Sequence, residues 1–253
     1  MKRIGLFLCA IFISVICHAD TINLHWLNYD GSSYQDSTCT VNGDLNIPTT
    51  PPTKYGYTFT GWKLTNYIPI EYIQGDKQAY IDTGVVLNNN SSIEARFQFP
   101  NVEGATTGNF ICGSRASYDS KAFVLVGFSG GSAWASNYNN SPELFGVSDT
   151  LIHVMKREKE KVYFDGINVI TSVNKTFTTP GTCFIFSANQ NGQPYLTSNI
   201  KLWYVKIWDN DIIVRDMIPV LDGNGVPCMF DKVEAKFYYN QGTGQFIAGP
   251  VLQ

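Results

Sequence analysis

The chain is expected to fold as an all-β protein, a sandwich of two antiparallel sheets, and three observations lead there. In residues 162–170, Val-Tyr-Phe-Asp-Gly-Ile-Asn-Val-Ile, Asp165 and Gly166 supply the positive-φ pair of a two-residue type I′ turn between β-branched and aromatic flanks. A hairpin that tight joins antiparallel neighbours and leaves no room for a crossover helix. From Tyr72 onward, short β-rich runs alternate with turn clusters at the spacing of a sandwich. No window carries the i, i+3, i+4, i+7 stripe of an amphipathic helix.

The N-terminus reads as a targeting segment. Met1-Lys2-Arg3 is followed by an uncharged apolar run over residues 4–17, then His18-Ala19 before Asp20. A basic start, an apolar stretch of this length and a small residue at the cut are the parts of a secretory signal. A membrane anchor needs roughly 20 apolar residues, and the run is shorter. Cleavage after Ala19 is therefore expected, leaving an exported chain with no membrane span. That chain carries 16 basic and 21 acidic residues, a net charge of −5. Neither sign clusters beyond residues 156–161, which mix Lys and Arg with Glu, so the basic stripe of a nucleic-acid binder is missing. Charged residues make up 15%, against roughly 25% in average domains, which suits an extracellular surface of hydroxyl and amide groups.

Four cysteines follow the expected cut: Cys39, Cys112, Cys183 and Cys228. Four in so long a chain do not make a disulfide scaffold. Cys112 and Cys183 lie in apolar strand text and read as buried thiols, with a bridge as the alternative. No pair has C-x-x-C spacing, so zinc is unsupported.

Residues 20–66 form a short polar-aromatic module. It opens with the alternation Ile22-Asn23-Leu24-His25-Trp26-Leu27 and turns at Asp30-Gly31. It closes through a proline-rich approach to Gly56-Tyr57-Thr58-Phe59-Thr60-Gly61-Trp62. The prolines exclude helix and central strand there. That closing string resembles the end of the internalin-type B-repeat, or Listeria–Bacteroides repeat, matching Gly-Tyr-x-Phe-x-Gly-Trp at every fixed position. The resemblance departs at the front, where Asp30-Gly31-Ser32-Ser33 stands in place of paired glycines. It implies a small β-grasp-like spacer of a bacterial surface protein and no activity. Tyr57, Phe59 and Trp62 are expected to form most of that module's core.

Residues 70–253 hold the main domain. Strands are expected near 80–83, 92–99, 109–113, 122–128, 152–156, 161–164, 167–173, 183–187, 200–208, 212–219 and 236–239. Turns are expected at Asn88-Asn89-Asn90, Gly130-Gly131, Asp165-Gly166, Asn191-Gly192, Asp209-Asn210-Asp211 and Asp222-Gly223-Asn224-Gly225. Several strings together resemble the laminin-G-like, concanavalin-type jelly roll. These are His153-Val154-Met155, Tyr163-Phe164-Asp165-Gly166, and the strand from Ile200 to Val205-Lys206-Ile207-Trp208. The flanking text resembles a variant of secreted and phage-associated bacterial proteins: Glu71-Tyr72-Ile73, Tyr80-Ile81-Asp82-Thr83-Gly84, Val214 through Pro219, Phe230-Asp231-Lys232-Val233, and Phe237 through Gly244. The resemblance implies a two-sheet jelly roll that binds rather than catalyses.

Catalytic readings are weak on the residues. Gly127-Phe128-Ser129-Gly130-Gly131 matches the nucleophile-elbow string, but the elbow needs a helix after it, and residues 132–142 have no helical period. After the cut only His25 and His153 could serve a triad, and His153 reads as a packed or hydrogen-bonded strand residue. A glycosidase needs two flanking carboxylates. Asp209 and Asp211 have the spacing but read as a solvated hairpin tip. No cofactor is expected, and the one alternative the resemblance leaves open is a structural calcium at a sheet edge. Asp82, Asp119, Asp149 and Asp222 are its candidate oxygen donors.

Sugar recognition uses aromatic faces with amide side chains beside them. Residues 127–142 read as an exposed loop with that mixture: Trp134, Asn137, Tyr138, Asn139 and Asn140, with Tyr118 and Trp203 as further candidates. Trp134 either stacks on a ligand or packs in the core. The first reading expects Trp134→Ala to leave the melting temperature nearly unchanged. Together these readings describe a secreted or surface-displayed, non-catalytic protein that binds a glycan or a surface protein. The competing readings are a structural display protein making protein contacts and a diverged glycosidase.

Overall fold

A computed structural model describes residues 66–100, 109–117, 120–129, 133–140 and 142–252. Ahead of them it describes residues 5–6, 11–12, 21–27, 33–40, 48–51, 53 and 58–59. The first strands are β1 (Gly5–Leu6), β2 (Ile11–Phe12), β3 (Thr21–Leu27), β4 (Ser33–Thr40) and β5 (Thr58–Phe59). β3 and β4 pair antiparallel, and Trp26 is buried there with its indole N–H donating to Ser37 Oγ at 2.8 Å. Tyr57 and Trp62 lie outside the described residues, and of Phe59 only the backbone is described.

From Asn66 the chain is a two-sheet sandwich. It runs through β6 (Asn66–Pro69), β7 (Ile73–Gln74), β8 (Ile81–Asn88) and β9 (Ser91–Gln98). β10 (Asn109–Arg115), β11 (Phe123–Ser129), β12 (Ala133–Tyr138) and β13 (Glu143–Phe145) follow. Next come β14 (Ile152–Glu158), β15 (Lys161–Phe164) and β16 (Ile167–Thr171), then β17 (Thr178–Ile185), β18 (Ala188–Gln190) and β19 (Gln193–Tyr195). The chain closes with β20 (Lys201–Asp209), β21 (Ile212–Asp222), β22 (Pro227–Asp231), β23 (Lys236–Tyr238) and β24 (Ile247–Ala248). The smaller sheet has the order β13-β12-β11-β10-β17-β8, with β18 and β19 at its side. The larger has the order β16-β15-β14-β9-β20-β21-β22-β23, with β2, β6, β7 and β24 alongside.

The expected hairpin is present. β15 and β16 pair antiparallel with Phe164 opposite Ile167, and Asp165 and Gly166 take φ of 48° and 81°. Asn191 and Gly192 make the same kind of turn between β18 and β19. Alternation along the strands builds the core: Ile93, Ala95 and Phe97 of β9 and Val205 and Ile207 of β20 meet Phe123 and Leu125 of β11 and Ile185 of β17. Cys112, Cys183 and Cys228 are buried free thiols.

One expectation is corrected. The loop anticipated over residues 127–142 contains strand β12, in which Trp134 through Tyr138 are all buried. Its Gly, Ser and Asn content misled because the polar side chains find partners inside. Ser136 Oγ donates to Val124 O at 2.9 Å, and Asn137 Nδ2 donates to Asn140 O at 3.0 Å.

Two polar clusters explain strings near the C-terminus. Arg215 donates to Glu234 Oε1 at 2.8 Å and to Thr83 O at 3.0 Å. Lys232 pairs with Asp216 at 2.6 Å, while the buried Asp231 accepts the Asp216, Val233 and Glu234 amides. Burial raises the Asp231 carboxyl to about 6 despite those amides. Further on, Asn240 accepts the Tyr80 amide at 3.1 Å and donates to Gly244 O at 2.6 Å. Asp76 accepts the amides of Gln78, Ala79 and Gln245. A side chain at Gly244 would collide with the Asp76 carboxylate, and one at Gly242 with Gln78 O. The close approach of Gln78 O to Gly242, and of the Asp76 carboxylate held by three amides to Gly244, is why both positions hold glycine.

Candidate ligand-binding site

The residues singled out in 133–140 do not present a binding face. Trp134 is 2% exposed and packs among Phe97, Phe99, His153 and Phe164, with ring centroids 5.3–5.8 Å away. Tyr138 is 3% exposed, stands edge-on to Phe177 at 5.0 Å and donates to Asn89 O at 3.1 Å. Asn137, on the other side of β12, is fully buried. Asn139, half-buried at φ 60°, gives its amide to Ala122 O. Tyr118 lies outside the described residues.

The other expected chemistries find their residues engaged. Asp82, Asp149 and Asp222 accept backbone amides of their own turns, and Asp119 lies outside the described residues. Among the described residues, no three His, Cys, Asp or Glu side chains gather as metal ligands would. Ser129 ends β11, and residues 133–138 form a strand where an elbow needs a helix. Asn210 and Asp211 take positive φ at the hairpin between β20 and β21, and Asp211 pairs with Lys159 at 2.9 Å.

His153 is held from both sides. Nδ1 lies 2.7 Å from Asp165 Oδ2, and Nε2 lies 2.8 Å from Asp149 Oδ1. Burial alone would lower the imidazole pKa. The hydrogen bonds and charges of the two carboxylates override it, holding the group above 6.5. Because the native pKa exceeds the unfolded one, the stabilisation is complete below the unfolded value and fades as pH rises through the native value. His153→Gln is therefore expected to lose about 1 kcal/mol more at about pH 5.5 than at about pH 9. Denaturant midpoints of both proteins at the two pH values check this, and a pH-independent deficit would refute it.

The outer face of the larger sheet holds a different collection. Since Ile93, Ala95 and Phe97 point inward on β9, Ser92, Glu94, Arg96 and Gln98 point outward. Register lines up their neighbours across β14, β9, β20 and β21. Glu158, Ser92 and Trp208 form one row. Lys156, Glu94, Lys206 and Asp216 form the next. Val154, Arg96 and Tyr204 form a third, and Ile152, Gln98 and Lys201 a fourth.

A register shift in β20 between Leu202 and Tyr204 inserts Trp203 as an extra residue. Leu202 and Val205 are buried, whereas Trp203 and Tyr204 side by side are both half-buried. Such a bulge re-aims side chains, and here it adds a second aromatic ring to the outward face. The sequence signal is the broken alternation of Leu202-Trp203-Tyr204-Val205, which singles out Tyr204 as well as Trp203.

Four rings on or beside this face have a cation close by. Lys156 lies 5.4 Å from the Trp208 ring, Lys206 5.5 Å from Tyr204, Arg96 5.7 Å from Trp203 and Lys201 4.5 Å from Tyr72. Tyr72 and Trp203 are 5.3 Å apart, and Tyr204 Oη donates to Glu94 Oε1 at 2.9 Å. Burial, then the Glu94 carboxylate, pushes the Tyr204 phenol well above its ordinary range, so it stays a donor. Beside these rings a groove of about 400 Å³ is lined by Glu94, Val154, Lys156, Glu158, Tyr163 and Gly166. The arrangement offers rings for apolar contact and fixed donors and acceptors for hydroxyl groups.

Comparison with known proteins adds little. No family model and no curated protein matches the chain. Among solved structures the chain is similar to one from Bacteroides ovatus named a "putative carbohydrate binding protein". The two are 10% identical with a TM-score of 0.46, and the likeness covers 100% of this chain and 82% of the other.

Proposed function

We propose that this is a non-catalytic glycan-binding protein of the bacterial surface, and that it binds through the outer face of the larger sheet. The observation that carries this reading is the set of half-buried rings along β20, Trp203, Tyr204 and Trp208, beside the Glu94 and Lys156 groove. Aromatic rings partly sunk in a sheet are already immobilised, so a sugar packing on them orders little further. Glu94, Lys156, Glu158 and Lys206 supply charge-assisted hydrogen bonds for hydroxyls. Export is supported by the signal-like residues 1–19, and surface display by the B-repeat-like string at residues 56–62.

A polysaccharide array probed with the purified chain tests the proposal. Positive sugars should lose at least tenfold in affinity with Trp203→Ala or Trp208→Ala, as for a central aromatic contact. Full binding by either folded variant would remove this face from consideration.

A second reading, protein contact through the sandwich edge, is favoured by β16. This end strand of the larger sheet carries no charge, and its Ile167 and Val169 are exposed. Uncharged apolar edges invite strand pairing. Under that reading the chain self-associates with rising concentration on size-exclusion chromatography, and Val169→Lys abolishes it.

A further inference from the structure

We infer that the Tyr72 and Trp203 end of this face reads the acidic group, carboxylate or sulfate, of an anionic polysaccharide, with Arg96 and Lys201 as its ligands. This rests on the glycan reading above and narrows it to a ligand class and a subsite.

In the central row, Lys156 stands opposite Glu94, Lys206 stands between Glu94 and Asp216, and Asp216 pairs with Lys232 at 2.6 Å. Lys156 also pairs with Glu158 at 2.7 Å. Every cation there has an acidic neighbour, so that part of the face is balanced.

Two positions break the pattern. Arg96 stands opposite Val154 on one side and Tyr204 on the other. Lys201 stands opposite Gln98 and Gln74. Among the described residues neither cation pairs with a carboxylate, although the chain as a whole is acidic. Their charged heads instead lie over rings, the Arg96 guanidinium 5.7 Å from Trp203 and the Lys201 ammonium 4.5 Å from Tyr72. Those two rings touch each other, which brings the two unmatched cations to one corner of the face.

The chemistry follows from the groups. A guanidinium presents a fork of donors that matches a carboxylate or sulfate in a bidentate contact, and a nearby ammonium adds a point charge. Rings beside them would contact the apolar side of the sugar carrying the acid. A neutral glycan would leave this corner unused.

Matched polymers decide the matter. The full chain is titrated with polygalacturonate against its methyl-esterified form, and with dextran sulfate against dextran. At low salt it is expected to prefer the charged member of at least one pair by tenfold or more, the pair preferred telling carboxylate from sulfate. Arg96→Gln with Lys201→Gln should erase that preference and leave any affinity for the neutral member. Lys121→Gln, an exposed lysine outside these four rows, should leave the preference intact. Equal binding of both members by the native chain overturns the inference while the glycan reading stands. Equal loss in the Lys121 variant, marking nonspecific polyanion binding, overturns it too. Binding of no polymer here and none on the array overturns both.

Discussion

Replacing Trp134 by alanine is expected to destabilise the sandwich by about 3–5 kcal/mol, the cost of deleting a large buried ring into a cavity. Trp134, on the smaller sheet, touches four aromatic neighbours of the facing larger sheet: Phe97 on β9, Phe99 just beyond that strand, His153 on β14 and Phe164 on β15. Its removal opens a gap that none of these rings can fill without leaving its own packing. It also uncovers one side of the imidazole held by Asp149 and Asp165. Chemical denaturation measures the effect. An unchanged midpoint, the result expected of an exposed loop tryptophan, would contradict the buried strand.

Removing Glu143 is expected to be nearly as damaging, and more so than removing its partner. Arg157 is fully buried, donating to Ser136 Oγ at 2.7 Å, Ser172 Oγ at 3.1 Å and Glu143 Oε2 at 3.1 Å. Burial lowers its guanidinium to about 10, with Glu143 the chief opposing influence, so it is charged at neutral pH. Glu143→Leu strands that cation in the interior, a loss of about 3–5 kcal/mol. Arg157→Met leaves behind a carboxylate that is 38% exposed and can turn to water. Its cost should therefore be smaller. The reverse order of the two midpoints would mean that Arg157 acts through packing and not through charge.

Those two residues also mark where reading the sequence stops working. Hairpins such as Asp165-Gly166 are legible because their requirement is local, a positive φ at two adjacent positions. β12 is illegible because Ser136 and Asn137 look solvent-bound until the partners at Val124, Asn140 and Arg157 are placed beside them. The strings around Arg215 and Asn240 sit between these cases. Their residues stand out in the text, but the reason for them, contacts with Glu234, Thr83, Tyr80 and Gly244, is visible only once the strands are assembled. For the proposed site, Trp203 was readable as an aromatic in a strand. The rows that balance some cations and strand Arg96 and Lys201 depend on register between strands 100 residues apart.

The fastening of residues 240–251 onto residues 70–80 bears on when the chain can fold. Gln245 gives its amide to Asp76, Ile70 bridges to Val251, and β24 pairs with β7. β7 also borders β20, and β9 waits for β14 and β20 before either of its edges is paired. β7, β8 and β9 thus have no neighbour until later strands exist. Contacts so distant along the chain carry a loop-closure cost before they return any stability, which makes folding slow. A chain still emerging from the ribosome holds neither sheet of the sandwich complete, and residues 240–251 act as a latch on its first strands.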